Sequence, residues 1–151
     1  MKNDSEFKVA QSLGLGSGYS MSLACWPVYH MLCGLSIEVI SKAVLAQRGQ
    51  KIPKIHDLNL LVPLTGVDPS AEEKALLKFY TASIVWAGRY PVPSNCSDEM
   101  LERFYQDADD ALVKPGPKMG SMQLLVSSES TDWKHFHKLW GKVAGEFDHR
   151  L

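Results

Sequence analysis

The sequence predicts an all-α fold, an antiparallel bundle of about four to six helices. Three observations point there: apolar residues recur at three- and four-residue steps in several separate stretches, strand-type alternation is scarce, and glycines and prolines punctuate the stretches. With 151 residues, 45% of them apolar and 22% charged, residues 1–151 read as one helical domain able to bury its own core.

Taken in order, Phe7 to Leu13 fits a short helix that the segment Gly14-Leu15-Gly16-Ser17-Gly18 ends. A long helix then runs from about Tyr19 to Arg48, with Pro27 as a kink or break. Leu32, Leu35, Val39, Ala43 and Ala46 form its main stripe; Ile37, Ile40 and Val44 widen it, which predicts a central helix covered on more than one side. Gly49 closes this helix and Pro53 confirms the break. His56 to Leu64 reads as a short helix leading to Thr65-Gly66. Asp68-Pro69 starts the next one, as an acidic cap followed by proline, with Glu72 and Glu73 at the positive helix end. That helix carries Leu76, Leu77, Phe79, Tyr80, Ile84 and Trp86 before Gly88.

Pro91-Val92-Pro93-Ser94-Asn95 is a loop, because two prolines so close fit neither regular element. Ser97 and Asp98 open a helix through Leu101, Phe104, Tyr105, Ala108, Ala111 and Leu112, which Lys114-Pro115-Gly116-Pro117 stops. Met119 to Val126 fits either a short helix or a strand and is read as a helix. A last helix from Asp132 places Trp133, Phe136, Trp140, Val143, Ala144 and Phe147 on one face.

The formal net charge of −1 offers no global attraction to nucleic acid, so any such contact must rest on a local basic patch. The three cysteines, Cys25, Cys33 and Cys96, are too few for a disulfide framework. Cys25 and Cys33 are expected in a buried helical region, as suits a reducing cytoplasm. Met1-Lys2-Asn3-Asp4 does not open like a signal peptide. No Asp, Glu, Lys or Arg lies between Lys8 and Glu38, a length that can span a bilayer. Gly14, Gly16, Gly18, Pro27 and His30 interrupt it, and a helix buried inside a bundle accounts for the pattern without a membrane.

Three local patterns carry a family resemblance. They are the helix Leu35-Ser36-Ile37-Glu38-Val39-Ile40-Ser41-Lys42-Ala43-Val44-Leu45, then Lys54-Ile55-His56-Asp57-Leu58, then Arg89-Tyr90-Pro91 at the end of a later helix. In this order and spacing they resemble HEPN domains (higher eukaryotes and prokaryotes nucleotide-binding). The resemblance covers roughly Tyr19 to Val113, with residues 114–151 left as a C-terminal helical extension. It implies an antiparallel helix bundle, often a homodimer. The family ranges from metal-independent ribonucleases of toxin–antitoxin and phage-defence systems to nucleotide-binding and noncatalytic partners.

Nuclease members pair an arginine with a histidine a few positions on; the histidine moves protons while the arginine neutralises the developing phosphorane. Arg89 matches the arginine, but Tyr90-Pro91-Val92-Pro93-Ser94-Asn95-Cys96 follows without a histidine. His56 is the substitute candidate through an approach to Arg89 in space or across a dimer axis, because its gap from Arg48 is longer than the family's and is broken by Gly49 and Pro53. Alternatively, His56 and Asp57 cap the short helix. Arg89 either pairs with a carboxylate such as Glu38 or binds phosphate through its planar fork. Tyr90 is expected to pack rather than stack on a base. Glu38 and Lys42 stand at i and i+4, and a buried Glu38 needs a cation, which predicts a polar cluster within the bundle.

The ligand-binding candidates are therefore Arg89, Tyr90, His56, Asp57, Glu38 and Lys42, with Arg89 and His56 the candidates for catalysis. No metal site or cofactor is expected. His135 and His137 fall on opposite sides of a helix, and His-Glu-x-x-His, Cys-x-x-Cys and phosphate-loop spacings do not occur. Trp133 and Trp140, seven apart, read as core or dimer interface. The expectation is a noncatalytic nucleotide- or RNA-binding accessory module, cytoplasmic, working as a homodimer or beside a partner protein. The alternatives are a metal-independent ribonuclease and a purely structural protein docking a partner through its last helix.

Overall fold

The computed structural model describes residues 3–15, 19, 21–87 and 97–148. Its six helices among these residues are α1 (Asn3–Ser12), α2 (Met21–Gln47), α3 (Leu58–Leu64), α4 (Ala71–Ala82), α5 (Asp98–Leu112) and α6 (Trp133–Ala144). A π-helical turn, Ser83–Ala87, continues α4. Between α5 and α6 stands an antiparallel hairpin of β1 (Val113–Met119) and β2 (Met122–Ser127).

The fold is thus mostly helical but not all-α. Pro115 and Pro117 cannot supply the amide donors that a helix needs, so the chain leaves α5 as a strand. Gly120, at φ +63, and Ser121 make the two-residue turn, which brings Met119 opposite Met122. The register shifts between Pro115 and Lys118, and at the shift Gly116 lies where a Cβ would meet Val126 Cγ1 at 2.7 Å. The helix expected over Met119 to Val126 is therefore a strand and turn. Gly120-Ser121 just ahead of the largely apolar Met122–Val126 was its overlooked signal.

α2 is the hub, packing against α1, α3, α4, the π turn and α6. It runs unbroken through Pro27. Its end is the one foreseen: Gly49 at φ +65, with Gly49 N–H donating to Ala46 O and Gln50 N–H to Leu45 O. Asp57 caps α3, its carboxylate accepting from Asn59 N. The start of α4 lies two residues beyond Asp68: Ser70 is the cap, and Ser70 and Glu73 form a reciprocal capping box. Asp132 caps α6 by accepting from His135 N.

The core joins Ile37 and Leu45 of α2 to Leu58 and Leu61 of α3, Leu77 and Tyr80 of α4, Ile84 of the π turn, and Leu139 and Val143 of α6. Each fully buried aliphatic side chain contributes about 1.5–3 kcal/mol. The stripe of Leu32, Leu35, Val39, Ala43 and Ala46 is only partly covered: Leu35 packs against the core and Ala43 is half-buried, but Leu32, Val39 and Ala46 are exposed. Leu32 is 56% and Val39 66% exposed, whereas Ile37 and Val44 on the other face are fully buried.

Arg48 clasps three helix ends at the base of the bundle. Its Nη1 donates to Thr65 O (2.7 Å), and its Nη2 meets the Glu146 carboxylate at 2.6 Å. That arginine is spent on architecture.

Candidate functional site

Among the described residues, two features built on α2 present chemistry to the outside. The first is polar. Glu38 is 7% exposed, and its carboxylate takes Lys42 Nζ at 2.7 Å and His56 Nδ1 at 3.0 and 3.1 Å. Burial pushes this carboxyl up, but the hydrogen bonds and charges of Lys42 and His56 outweigh that and hold it below its ordinary value. The cluster foreseen around Glu38 therefore exists, with Lys42 as its cation and His56 as a second hydrogen-bond partner. His56 does not cap α3; that task belongs to Asp57 alone. Arg89 and Tyr90 lie outside the described residues, as do Pro91 and Cys96.

The second feature is an apolar groove of about 460 Å³ between α2 and α6, lined by Tyr29, Leu32, Cys33, Ser36, Trp133, Phe136, His137 and Trp140. It continues along α2 past Leu35, Val39, Ile40 and Ala43. At the other end it continues past Cys25 and Trp26 to Glu129 and Asp132 beside the base of the hairpin. On a helical wheel, Leu32, Val39 and Ala43 share one face of α2, and Glu38 and Lys42 form its polar rim. Trp133 is 64% exposed, and Trp140 packs against the core from the groove side. The seven-residue spacing of the tryptophans thus builds a groove wall. Val28, Leu32 and Val39 were legible as apolar residues, but not as outward-facing ones.

Beneath the groove is a knot of buried polar groups. The Tyr29 and Tyr80 hydroxyls lie against the Cys33 thiol, and burial pushes both phenols and that thiol up. Next to them His30 is enclosed by the rings of Trp26, Tyr29, Phe79 and Tyr80. Cys33 is buried as expected; Cys25 is exposed at the groove.

No family model, curated protein or solved structure matches this chain.

Other features bear on the choice. Among the described residues, no group of three or more His, Cys, Asp or Glu is placed to hold a metal ion. His135 is engaged by the Asp132 carboxylate at 2.7 Å, while His137 rests on Trp133. Over Ala24–Gln47, α2 is long and apolar enough to cross a membrane, with mean hydropathy 1.4, and 44% of that window is buried in the chain. The remainder is largely the groove face.

Proposed function

We propose that this chain is a noncatalytic HEPN-like accessory module that works as a cytoplasmic homodimer, the α2–α6 groove of each copy being covered by the other copy. The uncovered groove carries the reading. Contiguous apolar surface of this kind marks an interaction site. Two points favour a second copy as the occupant. The face from Cys25 to Ile37 contains no charged residue, so a second copy approaches it without like-charge repulsion. The groove also runs about 27 Å along α2 from Cys25 to Ala43 and about 20 Å across two packed helices, which offers on the order of 500 Å² per partner and reaches the lower range of specific interfaces. The free thiols Cys25 and Cys33 suit a reducing compartment.

Sedimentation equilibrium tests this. Wild type is expected to be a dimer at about 100 μM, and L32E/V39E a monomer with an unchanged helical spectrum, because both side chains are exposed in the single chain. A monomeric wild type would overturn the reading.

A second reading is favoured by His56. Its side chain is 62% exposed and its Nδ1 is held by Glu38, so Nδ1–H donates to the carboxylate and Nε2, when unprotonated, offers a lone pair. A base oriented by a buried acid is the arrangement used in proton-transfer catalysis. With Arg89 it would make a metal-independent ribonuclease. Chelator-insensitive RNA cleavage by wild type, lost in both His56→Ala and Arg89→Ala, would put this reading first.

A further inference from the structure

Among the described residues, the hairpin is a second uncovered apolar surface. All six residues of β2 are exposed, among them Met122 (67%) and Leu125 (66%), and Met119 of β1 is exposed as well. Among the described residues it pairs only with itself and touches the body where β1 leaves α5. A two-stranded hairpin with both faces in water is marginally stable and needs cover.

We infer that the hairpin is an exchange arm: β1–β2 of each copy lies in the α2–α6 groove of the other. This rests on the homodimer reading and specifies how that dimer is built. Three observations carry it. The first is charge. From Val113 to Ser127 the chain holds Lys114 and Lys118 and no acid, while the groove end is lined by Glu129 and Asp132. The second is length. Strands of seven and six residues extend about 20 Å, which fits within the groove's length of about 27 Å. The third is position. Ser127, where the hairpin rejoins the body, lines the same groove end, so a two-fold axis there sets each arm beside its partner's groove. Met119 and Met122 are suited to the site, because flexible thioethers pack against aromatic walls such as Trp133 and Trp140. One event thereby covers both apolar surfaces.

The test uses the full chain in sedimentation equilibrium and photo-crosslinking. M122E/L125E is expected to weaken dimerisation at least tenfold while keeping the helical spectrum, since both residues are exposed in the single copy. Leu124→p-benzoylphenylalanine, with labelled and unlabelled copies mixed, is expected to crosslink to α2 or α6 of the other copy. A dimer unaffected by M122E/L125E overturns the arm and leaves the homodimer standing. So does crosslinking confined to the other copy's hairpin or to the same chain, or none at all. A monomeric wild type overturns both proposals.

Discussion

His30 shows how a single residue sets a pH dependence. It is 3% exposed, and among the described residues neither ring nitrogen has a hydrogen-bond partner. Burial pulls its pKa from 6.5 down to about 4. A depressed histidine binds protons in the unfolded state first, so stability is complete above about pH 6.5 and falls as pH drops towards 4, by on the order of 2–3 kcal/mol. His30→Phe removes the unpaired nitrogens while keeping a ring against Phe79, and should flatten this slope in urea unfolding between pH 7 and 4.5. A slope unchanged in the variant would show that other groups are responsible. Glu38 acts lower down. Its folded pKa lies beneath the ordinary 4.5, so its contribution is present above that value and is lost as pH falls through the depressed one. Glu38→Gln is expected to cost about 1 kcal/mol at pH 7 and progressively less as pH falls below the ordinary 4.5, read as the wild-type-minus-variant difference in urea midpoint. The Glu38–Lys42 half of this cluster was legible from i, i+4 spacing. The His56 half was not, because eighteen residues and a loop separate it from Glu38.

At the scale of elements, α2 and the π turn approach closely at Gly34. A Cβ there would stand 2.8 Å from Ile84 Cγ1 and 3.0 Å from the backbone oxygen of Tyr80. Gly34→Val should therefore destabilise by roughly 2–3 kcal/mol despite the better helix propensity of valine at an open site, and a wild-type melting temperature would refute the contact. Helix existence and most boundaries could be read directly, since Gly49, Asp57 and Asp132 act through neighbours along the chain. α4 was misplaced by two residues because Asp68-Pro69 and Ser70-Ala71-Glu72-Glu73 both signal a start; the capping box satisfies two amide donors at once. The hairpin was missed because its six-residue β2 is too short for its period to distinguish strand from helix.

For the whole molecule, the residues after Lys114 complete the core. Phe136, Leu139 and Val143 are all in it. Ending the chain at Val113 would expose their contacts, and at about 1.5–3 kcal/mol each that loss is comparable to the total stability of a domain. Such a chain should lose cooperative thermal unfolding and near-UV signal. A sharp, wild-type-like melt would show instead that the first helices stand alone. The C-terminal tie is reinforced by Arg48–Glu146 and Gln47–Asp148 contacts that bring the ends of α2 and α6 together.

The sequence by itself determined the number and nature of most helices, their stops, and the need of Glu38 for a cation. These follow from neighbours within about one turn, where periodicity and capping act. Only the tertiary structure decided which stripe of α2 faces inward, which groups meet Glu38, and that a groove is left open between α2 and α6. A helix apolar nearly all round does not reveal its orientation; that is set by which partner helices arrive, and from where.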